Sequence, residues 1–217
     1  TLGDTDTLAA ATGQTITING GATAYAARVK APKAEAGYLH IPDVAGNYAT
    51  GPSVTIGANE TWEGELDMVV TQWGVHMTPM GGGVWPNGFG LVFYNSGAVR
   101  LFSKGIGGPT AGSDVILGTP FNVKYGFNGS AIYVDIDGTR VYSDNSAEIV
   151  SLQSGSITHT LELNQQANIG NIGNYTIQKA KLTVASSLVF DVDFDRAPAN
   201  ATSFAAIKGQ TVTINQS

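Results

Sequence analysis

Residues 121–143 read FNVKYGFNGSAIYVDIDGTRVYS, and the spacing of their apolar side chains decides the fold class. Phe121, Val123, Tyr125 and Phe127 alternate with Asn122, Lys124 and, past the end, Asn128. A period of two belongs to a β-strand with one face on a core and the other in water. After Asn128-Gly129 the pattern resumes with Ile132, Val134 and Ile136. After Asp137-Gly138 a third short run covers 139–143. Asn-Gly and Asp-Gly accept positive φ at both centres of a type I′ turn. Their succession predicts two such turns and a three-stranded antiparallel meander.

The same alternation extends in both directions. Upstream, residues 61–73 put Trp62, Leu66, Met68 and Val70 on one face and Glu63, Glu65 and Asp67 on the other. Residues 88–94 and 98–103 read as a hairpin around Asn95-Ser96-Gly97, with Gly97 suited to a left-handed turn position. Downstream, Leu188, Phe190, Val192 and Phe194 alternate with Val189, Asp191, Asp193 and Asp195. Further strands are predicted over 15–19, 24–29, 37–41, 158–163, 175–184 and 211–215, and no stretch has the periodicity of an amphipathic helix. Many short strands with local hairpins predict an all-β fold, a two-sheet antiparallel jelly-roll sandwich.

Composition agrees with that reading. At 217 residues the chain can form one large sandwich, and no break in composition divides it. Residues 1–217 are therefore expected to form a single β-sandwich domain. Charged residues make up only 13%, and 28 glycines serve many turns. A net charge of −6, with 11 basic residues, leaves no Lys/Arg cluster for a phosphate backbone, so no nucleic-acid partner is expected. No apolar run approaches the ~20 residues of a membrane helix, so no membrane partner is expected. The first residues lack the basic and apolar regions of a signal peptide. The absence of cysteine excludes disulfides and Cys-ligated metals, and fits synthesis in a cytoplasm.

The two ends repeat each other. Residues 7–19 read TLAAATGQTITIN and residues 203–215 read SFAAIKGQTVTIN, identical at eight of thirteen positions (Ala, Ala, Gly, Gln, Thr, Thr, Ile, Asn). Ile and Val alternate with Thr in both, so both predict strands with Ile16/Ile18 or Val212/Ile214 facing apolar surroundings. Two such strands either close one sandwich together, or one of them pairs with the edge of a neighbouring subunit.

Several segments, in order, carry a resemblance to a known family. They are residues 37–49, GYLHIPDVAGNYA; the strand of 62–73; Tyr133-Val-Asp-Ile-Asp-Gly138; Val189-Phe-Asp-Val-Asp-Phe194; Ala201-Thr-Ser-Phe204; and Gly209-Gln-Thr-Val-Thr-Ile-Asn215. Together they resemble the concanavalin A-like, laminin G-like jelly-roll modules of tailed-bacteriophage virion proteins. The resemblance implies a place on the virion surface, contacts with other virion proteins, and homo-oligomers. Laminarinase-like glycoside hydrolases share the fold and carry a Glu-x-Asp-x-Glu strand motif. Here Glu65-Leu66-Asp67-Met68 begins that motif, but Val69 and Val70 stand where the second Glu belongs. Glu63 shares the face of Glu65 and Asp67 and leaves a rearranged carboxylate pair as the alternative to a merely solubilising face. The expectation is that the chain is not an enzyme.

Other residue clusters offer weaker chemistry. Asp191, Asp193 and Asp195 share a strand face and are candidates for a structural Ca²⁺, though same-face neighbours are about 6.6 Å apart. No other cofactor is expected. His40, His76 and His159 stand at no metal-ligand or triad spacing, and Gly81-Gly82-Gly83 lacks the Lys of a phosphate loop. The segment WGVHMTPMGGGVWPNG, 73–88, reads as an unusual loop. Its Trp73, His76, Trp85 and Asn87 are candidate glycan contacts, since sugars stack on aromatic rings and bond to amides. The alternative has both Trp rings plugging the ends of the sandwich.

The resulting expectation is an accessory structural protein of a bacteriophage virion, a capsid decoration or tail or fibre component, acting through subunit contacts. The alternatives are a glycan-binding adhesin for host-surface attachment and, third, a glycoside hydrolase of laminarinase-like fold.

Overall fold

Alternation places the strands of 61–73 and 121–143 side by side, and the pairing register shows why. The computed structural model describes residues 7–9, 15–17, 37–41, 48–84, 87–108, 110–164, 173–196, 203–207 and 209–215. Contacts divide the chain into two units, Thr1–Gly37 and Tyr38–Ser217. In the first, β1 (Thr7–Ala9) and β2 (Thr15–Thr17) form an antiparallel two-stranded sheet. The second holds two larger antiparallel sheets.

The strands of this second unit are β3 (Leu39–Ile41), β4 (Tyr48–Ile56), β5 (Trp62–Gln72), β6 (His76–Met77), β7 (Met80–Gly82), β8 (Phe89–Tyr94), β9 (Val99–Ser103) and β10 (Ile106–Gly107). There follow β11 (Phe121–Phe127), β12 (Ile132–Ile136), β13 (Thr139–Asp144), β14 (Ile157–Leu163), β15 (Asn174–Val184), β16 (Ser187–Asp193), β17 (Ser203–Ala205) and β18 (Thr211–Asn215). One sheet has nine strands, in the order β10-β9-β8-β7-β14-β4-β18-β17 with β6 on β8. The other has seven, in the order β13-β12-β11-β5-β15-β16 with β3 on β15. This is the two-sheet antiparallel sandwich that the alternation predicts. No helix among the described residues is long and apolar enough to cross a membrane.

In the seven-stranded sheet β11 pairs with β5 from Phe121↔Met68 to Phe127↔Trp62. The inward sets of both strands therefore line one face, and Trp62, Leu66, Met68, Val70, Phe121, Val123, Tyr125 and Phe127 are all buried. Tyr125 lies opposite Gly64, where a Cβ would stand 2.6 Å from its ring. The Tyr125 hydroxyl donates to the Met80 carbonyl of the facing sheet at 2.8 Å. Trp62 packs edge-on to Phe89 of that sheet and to Tyr125, with ring centres 5.5 and 6.0 Å apart. Such edge-to-face pairs add to the burial term. Lys104, buried and at φ 51°, sends its ammonium to the carbonyls of Gly57, Gln153 and Gly155 at 2.7, 3.0 and 2.9 Å. It ties the turn before β5 to the segment that follows the one described α-helix, α1 (Ala147–Leu152).

Three features differ from the sequence reading, while one predicted turn forms as expected. Asp137-Gly138 adopts positive φ at both positions, 48° and 76°, as a type I′ turn requires. Asn128-Gly129 does not. Phe127 pairs with Ile132, leaving a four-residue loop in which Asn128 Oδ1 accepts from the backbone N–H groups of Ser130 and Ala131 at 3.0 and 2.9 Å. The long strand β4 is hidden in the sequence by Gly51-Pro52. Its pairing with β14 shifts register between Thr160 and Glu162, which accommodates a residue with no N–H to donate. The short α1 buries Ile149 alone among its residues, too little to leave a 3.6-residue pattern. The predicted strand over 24–29 lies outside the described residues.

Candidate functional site

Where β5 begins and β11 ends, the seven-stranded sheet carries an open cleft of about 240 Å³, lined by Thr61, Trp62, Glu63, Phe127, Asn128, Tyr133, Thr183 and Ser186. The register brings these residues together. Trp62 faces Phe127 across β5–β11 and Val184 across β5–β15, and Phe127 faces Ile132 at the start of β12. Trp62, Phe127 and Tyr133 are buried, whereas Thr61, Glu63, Asn128, Thr183 and Ser186 remain accessible. The cleft thus combines aromatic edges below with two Thr, a Ser, an amide and a carboxylate above. The indole N–H of Trp62, one of the lining residues, is buried and has no acceptor among the described residues. A buried donor left unpaired is costly and calls for a partner.

Tyr133 and Glu63 form the polar centre of the cleft. The Tyr133 hydroxyl donates to Glu63 Oε2. Burial, first, and then the Glu63 hydrogen bond push its pKa well above the usual phenol range, so it stays protonated and acts as a donor. The Arg140 guanidinium lies 4.4 Å from the Tyr133 ring centre while it pairs with Asp135. From the cleft a polar strip crosses the outer face of the sheet. Lys124 Nζ stands 3.9 Å from Glu63 and 3.6 Å from Glu65. Asn122 Nδ2 donates to Glu65 at 3.1 Å and to Asp67 at 2.7 Å, and Lys181 Nζ is 4.0 Å from Glu65. On the same face, the position after Asp67 is Val69; Val70 is fully buried on the other side.

The residues singled out in 73–88 are differently placed. Two short strands interrupt the predicted loop, because β6 and β7 join the nine-stranded sheet through β8. Trp73 is partly buried and stacks on Phe93, with ring centres 5.8 Å apart. His76 packs edge-on against Tyr94, at the end of β8. Asn87 is exposed just before the start of β8, and its carbonyl is 3.1 Å from His159 Nε2. Trp73 and His76 therefore sit at one end of β8 and Asn87 at the other. Trp85 lies outside the described residues. Of the three aspartates, Asp191 and Asp193 lie in β16, opposite Lys181 and Lys179. Lys179 Nζ is 4.0 Å from Asp193. The strand ends there, and Asp195 sits in the 3₁₀ turn Phe194–Arg196, donating its N–H to Asp193 Oδ1 at 3.1 Å, so the three do not share one strand face. Among the described residues no three His, Asp or Glu side chains gather as a metal site.

The cleft was not legible in the sequence as a site, although Glu63 stood among the candidate carboxylates. An aromatic residue with outward parity, Tyr133, was the available signal.

No family model matches the chain, and no curated protein does. Solved structures do match. A carbohydrate-binding protein, described as putative, from Bacteroides ovatus ATCC 8483 superposes with a TM-score of 0.57 at 8% identity, over 83% of this chain and 59% of that one. An alginate lyase of polysaccharide lyase family 7 gives a TM-score of 0.40 at 16% identity, over 61% of this chain and 62% of that one. Tailspike protein 2 of Escherichia coli O157:H7 bacteriophage CAB120 gives 0.44 at 15% identity, over 65% of this chain and 24% of that one. The chain spans less than two thirds of the length of each. The first likeness establishes the jelly-roll β-sandwich fold. The expectation that the chain is not an enzyme is corrected by the matches to alginate lyases and sialidases, since this type of fold is shared by enzymes and binding modules.

Proposed function

We propose that the protein binds carbohydrate in the cleft between the start of β5 and the end of β11. The observation that carries this reading is one cleft lined by the aromatic residues Trp62, Phe127 and Tyr133 together with accessible hydroxyl, amide and carboxylate groups. Sugars present apolar ring faces rimmed by hydroxyls, and sites for them offer both kinds of contact. A cleft of about 240 Å³ is smaller than the ~300–1,000 Å³ pockets that enclose drug-sized ligands, and suits one sugar ring of a longer chain. The likeness to a carbohydrate-binding protein supports the reading at the level of fold.

Calorimetric titration with neutral, uronate-bearing and amino-sugar oligosaccharides tests it. Wild type binds at least one class, and Glu63→Gln, Tyr133→Phe and Asn128→Ala each weaken binding by about tenfold, the loss of one good hydrogen bond. Equal binding by all three variants, or weakening only by His76→Ala or Asn87→Ala, would move the site to the 73–88 segment.

The sequence resemblance at 37–49, 133–138 and 189–215 supports a setting for this binding, the surface of a tailed-bacteriophage particle. There the chain would serve as a capsid decoration or a tail or fibre component, contacting other virion proteins and copies of itself. Mass spectrometry of purified particles tests the setting, and a chain found only in the soluble fraction of infected cells counts against it.

A further inference from the structure

The described strands of the two repeated segments pair in the same register. In the first, Thr7 pairs with Thr17, Leu8 with Ile16 and Ala9 with Thr15. In the second, Ser203 pairs with Thr213, Phe204 with Val212 and Ala205 with Thr211. The alignment that sets residue 7 on residue 203 carries each pair of the first hairpin onto a pair of the second. Identity of sequence is here identity of register, which convergence on a generic strand sequence does not require.

The second hairpin shows what this element is for. β18 pairs with β4 through Thr213↔Thr50, Ile214↔Ala49 and Asn215↔Tyr48. Val212 is fully buried and Ala206 is buried beside it, while Thr211 and Thr213 are exposed. Two further bonds reach β16 of the facing sheet: the Ile207 N–H donates to the Asp191 carbonyl at 2.8 Å, and Gln210 Nε2 donates to the Val189 carbonyl at 2.7 Å. The hairpin thus extends one sheet and clasps the other. The residues that make these contacts recur in the first copy: Ala10, Gln14, Thr17, Ile18 and Asn19, with Ile16 for Val212. Ala11 replaces Ile207, whose bond to β16 uses only the backbone.

A two-stranded hairpin is marginal in water without a surface to cover. In the sandwich of Tyr38–Ser217 the edge of β4 is already filled by β18. We propose that residues 7–17 are a donor hairpin that closes a second β-sandwich of this type, along its β4 edge, when that edge is not filled by its own closing hairpin. The recognition is main-chain pairing along the edge, with one Ile side chain in the slot that Val212 fills here. Exchange of near-identical elements between copies is a low-cost route to assembly.

Two full-length variants test this. The first replaces 203–215 by the sequence of 7–19 and asks whether the slot accepts the donor. It should unfold cooperatively within about 5 °C of wild type, because the changes at 203, 204 and 212 are conservative and Ile207, which becomes Ala, is exposed. Loss of cooperative unfolding overturns the proposal. The second opens the slot with Val212→Asp and adds Thr17→Cys and Thr50→Cys, which the donor arrangement would set opposite each other as Thr213 and Thr50 are now. The expected result is a folded, concentration-dependent oligomer with a disulfide between copies. An unfolded chain, a disulfide within one copy, or a folded chain with no disulfide each overturns it.

Discussion

Glu162 stands on β14, opposite Thr50 of β4 and Gly81 of β7, and burial raises its pKa. A carboxyl with a raised folded pKa holds its proton more tightly in the native state than in the unfolded chain. Its contribution to stability is therefore complete below the unfolded carboxylate pKa and is lost as pH rises through the folded one. Glu162→Gln removes that loss. It should raise the melting temperature at pH 7.5, with the gain vanishing below about pH 4, where the native Glu is protonated anyway. Equal gains at both pH values would contradict the assignment. Other residues show how parity succeeds and fails. Alternation put Trp62, Leu66 and Met68 inward, as they are. Tyr133 carries outward parity yet is buried, because Glu63 takes its hydroxyl and Arg140 covers its ring. Those contacts come from neighbouring strands, which periodicity within one strand does not contain.

At the scale of elements, the turn between β15 and β16 joins the cleft to local strain. Ala185 and Ser186 both adopt positive φ, 48° and 63°, in a turn where Asn-Gly is the usual pair. The Ala185 N–H donates to the Thr61 carbonyl at 2.8 Å, and Ser186 lines the cleft. Non-glycine residues in this conformation cost roughly 1–2 kcal/mol each. The double variant Ala185→Asn, Ser186→Gly should gain about 1–2 kcal/mol in urea denaturation while binding glycan less tightly, a trade of stability against function. A gain without weaker binding would show that the Ser186 hydroxyl has no part in the site. The sequence made the β11–β12–β13 meander and the β8–β9 hairpin plain, since turn residues and alternation coincide there. It concealed β4 behind Pro52, and concealed β6 and β7 in a Gly- and Met-rich run whose burial on both sides leaves no alternation.

At the scale of the molecule, fold class followed from alternation alone, whereas the cleft did not. It assembles from the starts of β5 and β12 and the ends of β11 and β15, with lining residues up to 125 positions apart in sequence, from Thr61 to Ser186. Only sheet order brings those ends together, and sheet order depends on pairings that a single sequence leaves open. The tryptophans provide a direct test of the central claim, because each indole N–H gives its own signal in a ¹H–¹⁵N spectrum and, among the described residues, Trp62 is the tryptophan that borders the cleft. During titration with the oligosaccharide class that binds, the Trp62 indole signal should shift progressively while that of Trp73, stacked on Phe93, stays in place. Movement of the Trp73 or Trp85 signal with Trp62 unchanged, or no movement with any glycan, would contradict carbohydrate binding in this cleft.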